Sequence, residues 1–262
     1  MYCDFHNDVL TADNSKSLLS EYKRENNQIV CALFKGERDY KKVYQIATEF
    51  LKNKSPNLHL AFENVGFENI DQIKSLLALN PKYVSLTWNG QNSLGGGAGC
   101  ESGLTNLGKR VVLECNRAGV AVDTAHLSKV CFYQVLNLAD RVVNSHCCFD
   151  KINPHIRNIT TEQIKLLINK GGLIGLCLYS PFISSRKNVS ILNLFEHIDY
   201  FLQNFGDKNL CIGSDFNGCN QSVVSNYNQF SEIETVMKNN GCSSEQVKKI
   251  TFQNLYNFIN IG

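Results

Sequence analysis

The chain alternates apolar, β-rich runs with helical patterns along its length, and this alternation is the strongest constraint on its fold. Strands separated by helices pair in parallel, and strands covered by helices are apolar throughout, as these runs are. A length of 262 residues suits one eight-stranded barrel, so we predict a single α/β domain, a (β/α)8 TIM barrel, over residues 1–262. The predicted strands lie near 2–8, 28–34, 57–63, 83–88, 119–126, 141–147, 173–179 and 209–215. The predicted helices lie at 38–53, 69–79, 105–118, 128–139, 161–170, 190–204, 229–240 and 244–259.

Composition excludes several classes of partner. The net charge is +2, which indicates neither nucleic acid nor an anionic membrane surface as a partner. The chain shows no charged-then-apolar leader at its start and no apolar run of membrane-spanning length, so we expect a cytoplasmic protein. The 11 cysteines have irregular spacing, and several lie inside apolar strands. This pattern favours buried, reduced thiols over a disulfide framework or a thiolate zinc site.

Six side chains that bind metals or carry protons follow the predicted strands. They are His6, Asp8, Glu63, His126, His146 and Asp215. A (β/α)8 barrel builds its active site where its strands end, so these six should converge at one mouth. His6 and Asp8 are two apart on a strand and therefore face the same side. Glu63 and Asp215 end apolar strands, where a carboxylate is costly to bury without a cation or a partner.

Two metal ions use these ligands better than one. Glu63 can bridge, with His6 and Asp8 on one ion and His126 and His146 on the other. Asp215 would then take a proton from the attacking water and pass it to the leaving amine. The alternative for a single histidine at a strand end is a structural, hydrogen-bonded residue.

Two irregular segments should lie at the same mouth. Residues 90–103 contain GGGAG without the Lys-Ser/Thr of a phosphate loop, so we interpret them as a flexible active-site loop. Residues 148–158 follow the sixth predicted strand.

Several motifs together resemble the renal (membrane) dipeptidase family, which are binuclear zinc barrel enzymes related to the amidohydrolases. The resemblance runs from residue 2 to about residue 260, and its longest motif spans 103–128. The motifs are HND at 6–8, ENVG at 63–66, GLTNLGKRVVLECNRAGVAVDTAHLS at 103–128, NSH at 144–146, HIRN at 155–158 and IGSDFNG at 212–218.

The resemblance implies a role for each matching residue. Zinc would be held by His6, Asp8, Glu63, His126 and His146, with Glu63 bridging two ions. Asp215 would be the acid/base, and Arg157 would clamp the free carboxylate of a dipeptide, a role that suits a planar guanidinium. The alternative for Arg157 is an ion pair on a surface loop. The family also implies a homodimer.

Two departures from the family pattern concern substrate binding. Trp88 stands where animal members have a histidine that helps to hold the developing oxyanion, and Asn89 could substitute as a donor. Trp88 offers an apolar wall to substrate, and core packing is the alternative. Asn217 replaces an aspartate that is common in the SDFDG form of the motif, without removing a metal ligand.

The sequence therefore predicts a zinc-dependent dipeptidase that acts by metal-activated hydroxide, also on dipeptides with a C-terminal D-residue. One alternative is an amidohydrolase-like enzyme acting on a non-peptide amide or lactone. Another is a barrel without turnover that serves as a binding protein. Retention of the five ligands and Asp215 argues against the latter.

Overall fold

The computed structural model describes residues 1–24 and 26–260, and Glu25, Ile261 and Gly262 of the predicted 1–262 domain lie outside them. Eight parallel strands pair in sequence order. They are β1 (Cys3–Asn7), β2 (Gln28–Phe34), β3 (Leu58–Glu63), β4 (Tyr83–Ser85), β5 (Ala121–Asp123), β6 (Val142–Cys147), β7 (Ile174–Leu176) and β8 (Leu210–Ile212).

The sheet nearly closes on itself between its first and last strands. The backbone N–H of Asp215, after β8, donates to the His6 carbonyl at 3.0 Å, and that of Asp8 donates to Phe216 O at 2.8 Å. A nearly closed parallel sheet with intervening helices confirms the predicted TIM-barrel fold.

Helices connect the strands, and the shorter ones differ from prediction. They are α1 (Ser15–Tyr22), α2 (Tyr40–Asn53), α3 (Ile70–Leu77), α4 (Asn106–Ala118), α5 (Lys129–Leu138), α6 (Thr161–Asn169), α7 (Ser180–Ile183), α8 (Ile191–Phe205), α9 (Phe230–Asn239), α10 (Ser244–Lys248) and α11 (Asn254–Asn260). Sequence patterns missed α1 and α7, because α7 is only one turn and α1 buries only Tyr22. The single helix predicted at 244–259 is interrupted by a π-helical turn, Lys249–Gln253.

Capping residues at both ends of α4 fix the strand that follows it. The Thr105 side chain accepts a hydrogen bond from Gly108 N at the start of the helix. Gly119 ends the helix with a left-handed φ of 68°, which glycine adopts without a Cβ penalty. β5 begins two residues later, so these caps set the position of the strand that leads to His126.

Two apolar regions stabilise the barrel. The larger lies between the strands and the surrounding helices. The smaller lies inside the barrel and reaches α11, which closes the end opposite the C-terminal ends of the strands. Its buried members are Cys3, Phe5, Val30, Ala61, Tyr83, Ala121, Val143, Leu173, Cys211, Leu255 and Ile259. The barrel interior is therefore filled by apolar side chains at the end opposite the mouth.

The loop at 90–103 is packed at its centre, and its predicted flexibility stays a prediction. Leu94–Gly97 are buried, and the N–H of Gly97 donates to the Gly90 carbonyl at 3.0 Å. A Cβ at Gly97 would lie only 1.8 Å from the Trp88 carbonyl oxygen. Glycine at this position lets the loop press against the end of β4.

The cysteines follow the predicted pattern. All 11 are free, and only Cys100, Cys219 and Cys242 are partly exposed. Among the helices of the described residues, none has both the length and the apolarity needed to cross a bilayer.

Candidate active site

A cleft of about 870 Å³ opens at the C-terminal ends of the strands. Seven of the residues that the sequence singled out line it: Asp8, Glu63, Trp88, Asn89, His126, Arg157 and Asp215. The two others, His6 and His146, are buried beneath it. The structure thus gathers all nine predicted site residues at one mouth.

The side chains that the sequence predicted as ligands lie within contact distance of one another. His6 Nε2 lies 3.2 Å from Asp8 Oδ2 and 3.7 Å from Glu63 Oε2. On the other side of Glu63, Oε1 lies 3.0 Å from His126 Nε2, which in turn lies 2.9 Å from His146 Nε2. Each oxygen of the Glu63 carboxylate therefore faces a different part of the cluster.

The donor atoms form two groups that share one residue. His6, Asp8 and Glu63 form one group, and Glu63, His126 and His146 form the other; within each group all donor atoms lie within 4.8 Å of one another. Asp215 joins His6 and His146 in a third group. Imidazole nitrogens and carboxylate oxygens at this spacing suit divalent metals such as zinc.

The hydrogen bonds of His146 present its outer nitrogen to the cluster. Ser145 Oγ donates to Asp123 Oδ2 at 2.6 Å, so the same oxygen accepts from His146 Nδ1 at 2.8 Å. With its proton on Nδ1, the neutral imidazole directs the lone pair of Nε2 into the cluster. A carboxylate that acts through an intermediate group in this way orients a metal-ligating histidine.

His6 and His126 have the same tautomer for similar reasons. The Tyr83 hydroxyl donates to Phe5 O at 3.1 Å and therefore accepts from His6 Nδ1 at 2.7 Å. Asn89 Oδ1 accepts from His126 Nδ1 at 2.8 Å. In the neutral form that ligates metals, each of the three imidazoles would carry its proton on Nδ1 and turn its Nε2 lone pair toward the donor cluster.

The buried carboxylates divide into satisfied and unsatisfied ones. Asp123 accepts from Ser145 N, Ser145 Oγ and Ala125 N, at 2.6–3.0 Å. Asp8 Oδ1, in contrast, is buried and has no hydrogen-bond partner among the described residues. An unpaired buried carboxylate oxygen is costly unless a cation compensates it. The residues present therefore fit a bound metal at Asp8 and not at Asp123.

The crowding of buried carboxylates at the mouth shifts their pKa values and that of the neighbouring His6. Burial and the nearby Asp8 carboxylate raise the pKa of Glu63 well above its usual value. Burial also raises the pKa of Asp215 to about 7, although His6 opposes this. Burial lowers the pKa of His6, but Asp8, Glu63 and Asp215 outweigh it and raise that pKa to about 10. Divalent cations would replace these competing protons as the counter-charge.

The two remaining histidines favour their neutral forms. Burial and nearby positive charges, including that of Arg157, hold the pKa of His126 and of His146 well below the usual value. A neutral imidazole is the form that ligates metals, so neither residue needs to lose a proton first.

The backbone at the mouth is strained where it aims these side chains. His126 and Asp215 have left-handed φ values of 64° and 62°. A non-glycine residue in this region costs about 1–3 kcal/mol, and such residues concentrate at functional sites. Gly218 makes room beside them, because a Cβ there would lie 2.1 Å from Asp8 Oδ2 and 2.7 Å from Asp215 Oδ1.

Arg157 reaches the cleft from the loop after β6. Its side chain is 6% exposed, its Nη2 donates to the His146 carbonyl at 3.3 Å, and its guanidinium lies 5.3 Å from the centre of the Phe182 ring. It forms no ion pair among the described residues, so the alternative of a surface ion pair is wrong. The Nε atom of Arg157 is also buried, and it has no hydrogen-bond partner among the described residues.

Trp88 lies at the rim of the cleft. It is 47% exposed, and its ring centre lies 6.0 Å from that of His126. The alternative of core packing is therefore wrong. Asn89 lies beside it and engages His126 through Oδ1, while its predicted role toward substrate stays a prediction.

Sequence reasoning missed the residues that orient the histidines. Asp123 ends an apolar strand just as Glu63 does, and the cost of burying a carboxylate could have singled it out. Ser145 stands next to His146 in the NSH motif, but its bond to Asp123 depends on the pairing of β5 with β6. Tyr83 gave no signal, because an aromatic residue in a strand is usually a packing residue.

The fold and this cluster define the chain as a barrel with a candidate metal centre at its mouth. A sequence model of the family described as membrane dipeptidase (peptidase family M19) matches residues 63–260. The chain belongs to that family. His6 and Asp8 precede the matched range, so their place in the site rests on the closure of the barrel around β1.

One curated relative is Dipeptidase tcpJ of Claviceps purpurea (strain 20.1), which is 26% identical over 186 residues. The alignment covers 68% of this chain and 44% of that protein, so the chain spans less than half of the length of this relative.

Solved structures of metallopeptidases share the fold. A dipeptidase of family M19 superposes with a TM-score of 0.86 at 18% identity, over 98% of this chain and 97% of that one. A metallopeptidase from Rhodobacter sphaeroides, bound to a phosphinate mimic of the dipeptide L-Ala-D-Ala, superposes with a TM-score of 0.80 at 17% identity. That match covers 98% of both chains.

Proposed function

We propose that this protein is a dipeptidase that holds two zinc ions, bridged by Glu63, and hydrolyses small dipeptides. The observation that carries this proposal is the pair of donor groups sharing Glu63 at the floor of a cleft. His6 and Asp8 would hold one ion, and His126 and His146 the other.

The bound metal would supply Lewis acidity, which polarises a carbonyl and lowers the pKa of a water. Asp215 would move the proton. Its side chain faces His6 Nε2 at 3.9 Å, so its carboxylate lies beside the donor cluster, where a metal-bound water would be held. Asp215 would accept a proton from the attacking water and deliver it to the leaving amine.

Arg157 would bind the free carboxylate of the dipeptide. Its guanidinium is held between the His146 carbonyl and the Phe182 ring, so a carboxylate meets a donor that is already oriented. The site would therefore bind a substrate with a free carboxylate a short distance from its scissile bond. Asn89 would support the metal site by holding His126 in place.

Relatives support the choice of a peptide substrate. The Rhodobacter sphaeroides metallopeptidase binds a mimic of L-Ala-D-Ala, and the Claviceps purpurea relative is named a dipeptidase. We therefore include dipeptides with a C-terminal D-residue among the proposed substrates. The 11 free thiols support a reducing, cytoplasmic compartment. A homodimer stays a prediction from the family resemblance.

Metal content and a dipeptide panel test the proposal. Protein purified without chelators should contain about two divalent ions per chain, mainly zinc, and should hydrolyse Ala-Ala in both its L-L and L-D forms. Chelation should abolish turnover and zinc should restore it. One ion or none after reconstitution with excess zinc would contradict the binuclear centre, and an inactive reconstituted protein would contradict the dipeptidase.

Replacement of Arg157 separates a dipeptide from other substrates. Charge-assisted hydrogen bonds are worth roughly 1.5–3 kcal/mol each. Arg157→Ala should therefore lower kcat/KM for a free dipeptide by about 10- to 200-fold, and by much less for the same dipeptide amidated at its C-terminus. Arg157→Lys should restore only part of the loss, because lysine cannot make two parallel bonds. Equal losses on acid and amide would favour an amidohydrolase acting on a different amide or lactone.

A further inference from the structure

Two aromatic side chains form an exposed apolar surface on one side of the cleft. The rings of Trp88 and Phe34 have centres 5.7 Å apart and are tilted by 55°, and both residues line the cleft. We call this pair the aromatic wall. Trp88 leaves 47% of its surface open to solvent there. An apolar aromatic surface inside a cleft is the usual place for an apolar group of a ligand.

The aromatic wall lies across the mouth from Arg157. Phe34 ends β2 and Trp88 follows β4, whereas Arg157 follows β6 and packs on Phe182 beyond β7. Because the eight strands follow one another in order around the barrel, these two sets of strands lie on opposite sides. The donor cluster around Glu63 lies between them.

This arrangement orients a dipeptide. With its carboxylate at Arg157 and its scissile carbonyl at the donor cluster, its amino-terminal residue extends toward β2–β4. The side chain of that residue then meets the Trp88 and Phe34 rings.

The charges of the cleft determine which substrate side chains suit the aromatic wall. The only acidic residues among those lining the cleft are Asp8, Glu63 and Asp215, all part of the donor cluster. A lysine or arginine side chain at the aromatic wall would find no further carboxylate there to pair with. A large apolar ring on the substrate gains the most binding free energy, because it buries its own faces together with those of Trp88 and Phe34.

The wall is held in position before any ligand arrives. Gly97 packs against the Trp88 carbonyl, and the N–H of Gly99 donates to the Asn89 carbonyl at 2.9 Å. A backbone fixed on both sides of the Trp88–Asn89 peptide lowers the cost of ordering this segment when a ligand binds.

We propose that the aromatic wall binds the side chain of the amino-terminal residue and makes the enzyme selective for dipeptides that begin with an aromatic or other large apolar residue. This inference rests on the proposed dipeptidase function, and it assigns Trp88 and Phe34 as its specificity-determining residues.

Steady-state kinetics on matched dipeptides test the inference. In the zinc-loaded enzyme, kcat/KM for Phe-Ala should exceed that for Ala-Ala by about 10- to 100-fold, the value of burying one aromatic side chain. Trp88→Ala should reduce this ratio to within about threefold, mostly by loss on Phe-Ala. Trp88→Phe should retain most of the preference, because it preserves an aromatic face.

Ile156→Ala is the matched control, since Ile156 is an exposed apolar residue on the Arg157 side of the same cleft. It should leave the ratio of Phe-Ala to Ala-Ala unchanged. Hydrolysis of both dipeptides without a preference for Phe-Ala, or equal losses on both in Trp88→Ala, would overturn this inference alone. Failure of the wild-type enzyme on every dipeptide would overturn the proposed function and this inference with it.

Discussion

The two ends of the barrel bury side chains of opposite character: apolar side chains at the closed end, and polar and charged ones at the mouth. At the closed end, α11 inserts Leu255 and Ile259 among apolar side chains such as Phe5 and Val30. At the mouth, the strands end in buried imidazoles and carboxylates, and one of them, Asp8, keeps an unpartnered oxygen within the described part of the chain. Burial of apolar side chains stabilises the closed end, whereas burial of polar and charged groups lowers the stability of the mouth.

Backbone geometry shows the same difference. Five residues other than glycine have positive φ in the described ranges, and four of them lie within five residues of the C-terminal end of a strand, at the mouth: Asn64, His126, Asp215 and Asn217. The fifth, Asn80, lies just past the end of α3. Strained residues persist only where their surroundings hold them firmly. The stability gained at the packed end therefore offsets the cost of the buried polar groups and strained backbone at the mouth.

The largest expected effect at the mouth follows the replacement of Asp215. Asp215→Asn keeps the shape of the side chain but cannot accept a proton, so turnover should fall by at least ~100-fold, since general acid/base transfer contributes about 10²- to 10⁴-fold. Turnover of the zinc-loaded variant on Ala-Ala, measured together with its metal content, checks this. The metal content should stay nearly unchanged.

Asp207→Asn at the other end of β8 is the matched control. Asp207 pairs with Lys249 at 3.1 Å on a partly exposed surface, where such a pair contributes about 0–1 kcal/mol. Its replacement should leave turnover unaltered. Near wild-type turnover in Asp215→Asn would show that another group moves the proton.

The alternation of apolar runs was enough to predict the architecture of the barrel. Periodicity and length fixed the strand order, and the polar residues at strand ends identified the mouth. α1 escaped prediction because its sequence, SKSLLSEY, carries a weak apolar stripe and buries only Tyr22. Burial against neighbouring elements, which periodicity measures poorly, decides such helices.

The convergence of the candidate ligand residues was predictable, but the network that orients their side chains was not. Glu63 stood out because a carboxylate at the end of an apolar strand is costly to bury. Ser145 and Tyr83 act through bonds to His146 and His6 that join different strands. Such contacts depend on strand register and on the closure of the barrel, which neither motif nor local pattern specifies.

A cavity at the closed end should change stability without changing chemistry. Leu255 is fully buried inside the barrel, so Leu255→Ala should lower the free energy of unfolding by about 2–5 kcal/mol. Denaturant unfolding measures this, and kcat on Ala-Ala at low temperature should remain that of the wild type. Leu192→Ala is the control, because Leu192 is 57% exposed and its replacement should change stability by less than about 0.5 kcal/mol. A large fall in kcat in folded Leu255→Ala would show that the two ends are coupled.

The last prediction is a pH dependence of stability in metal-free protein. Burial raises the pKa of Asp215 from 3.8 to about 7 in the folded state, so the folded state binds this proton more tightly than the unfolded state does. The stabilisation from the bound proton is complete below about pH 4 and is lost as pH rises toward about 7. Asparagine does not ionise, so the Tm of Asp215→Asn minus that of the wild type should increase across this interval and level off above it. Thermal unfolding in the presence of a chelator measures the difference, and zinc should remove the increase because the cation stabilises the ionised carboxylate. A difference that stays flat or decreases with rising pH would show that Asp215 is ionised in the metal-free mouth at no cost.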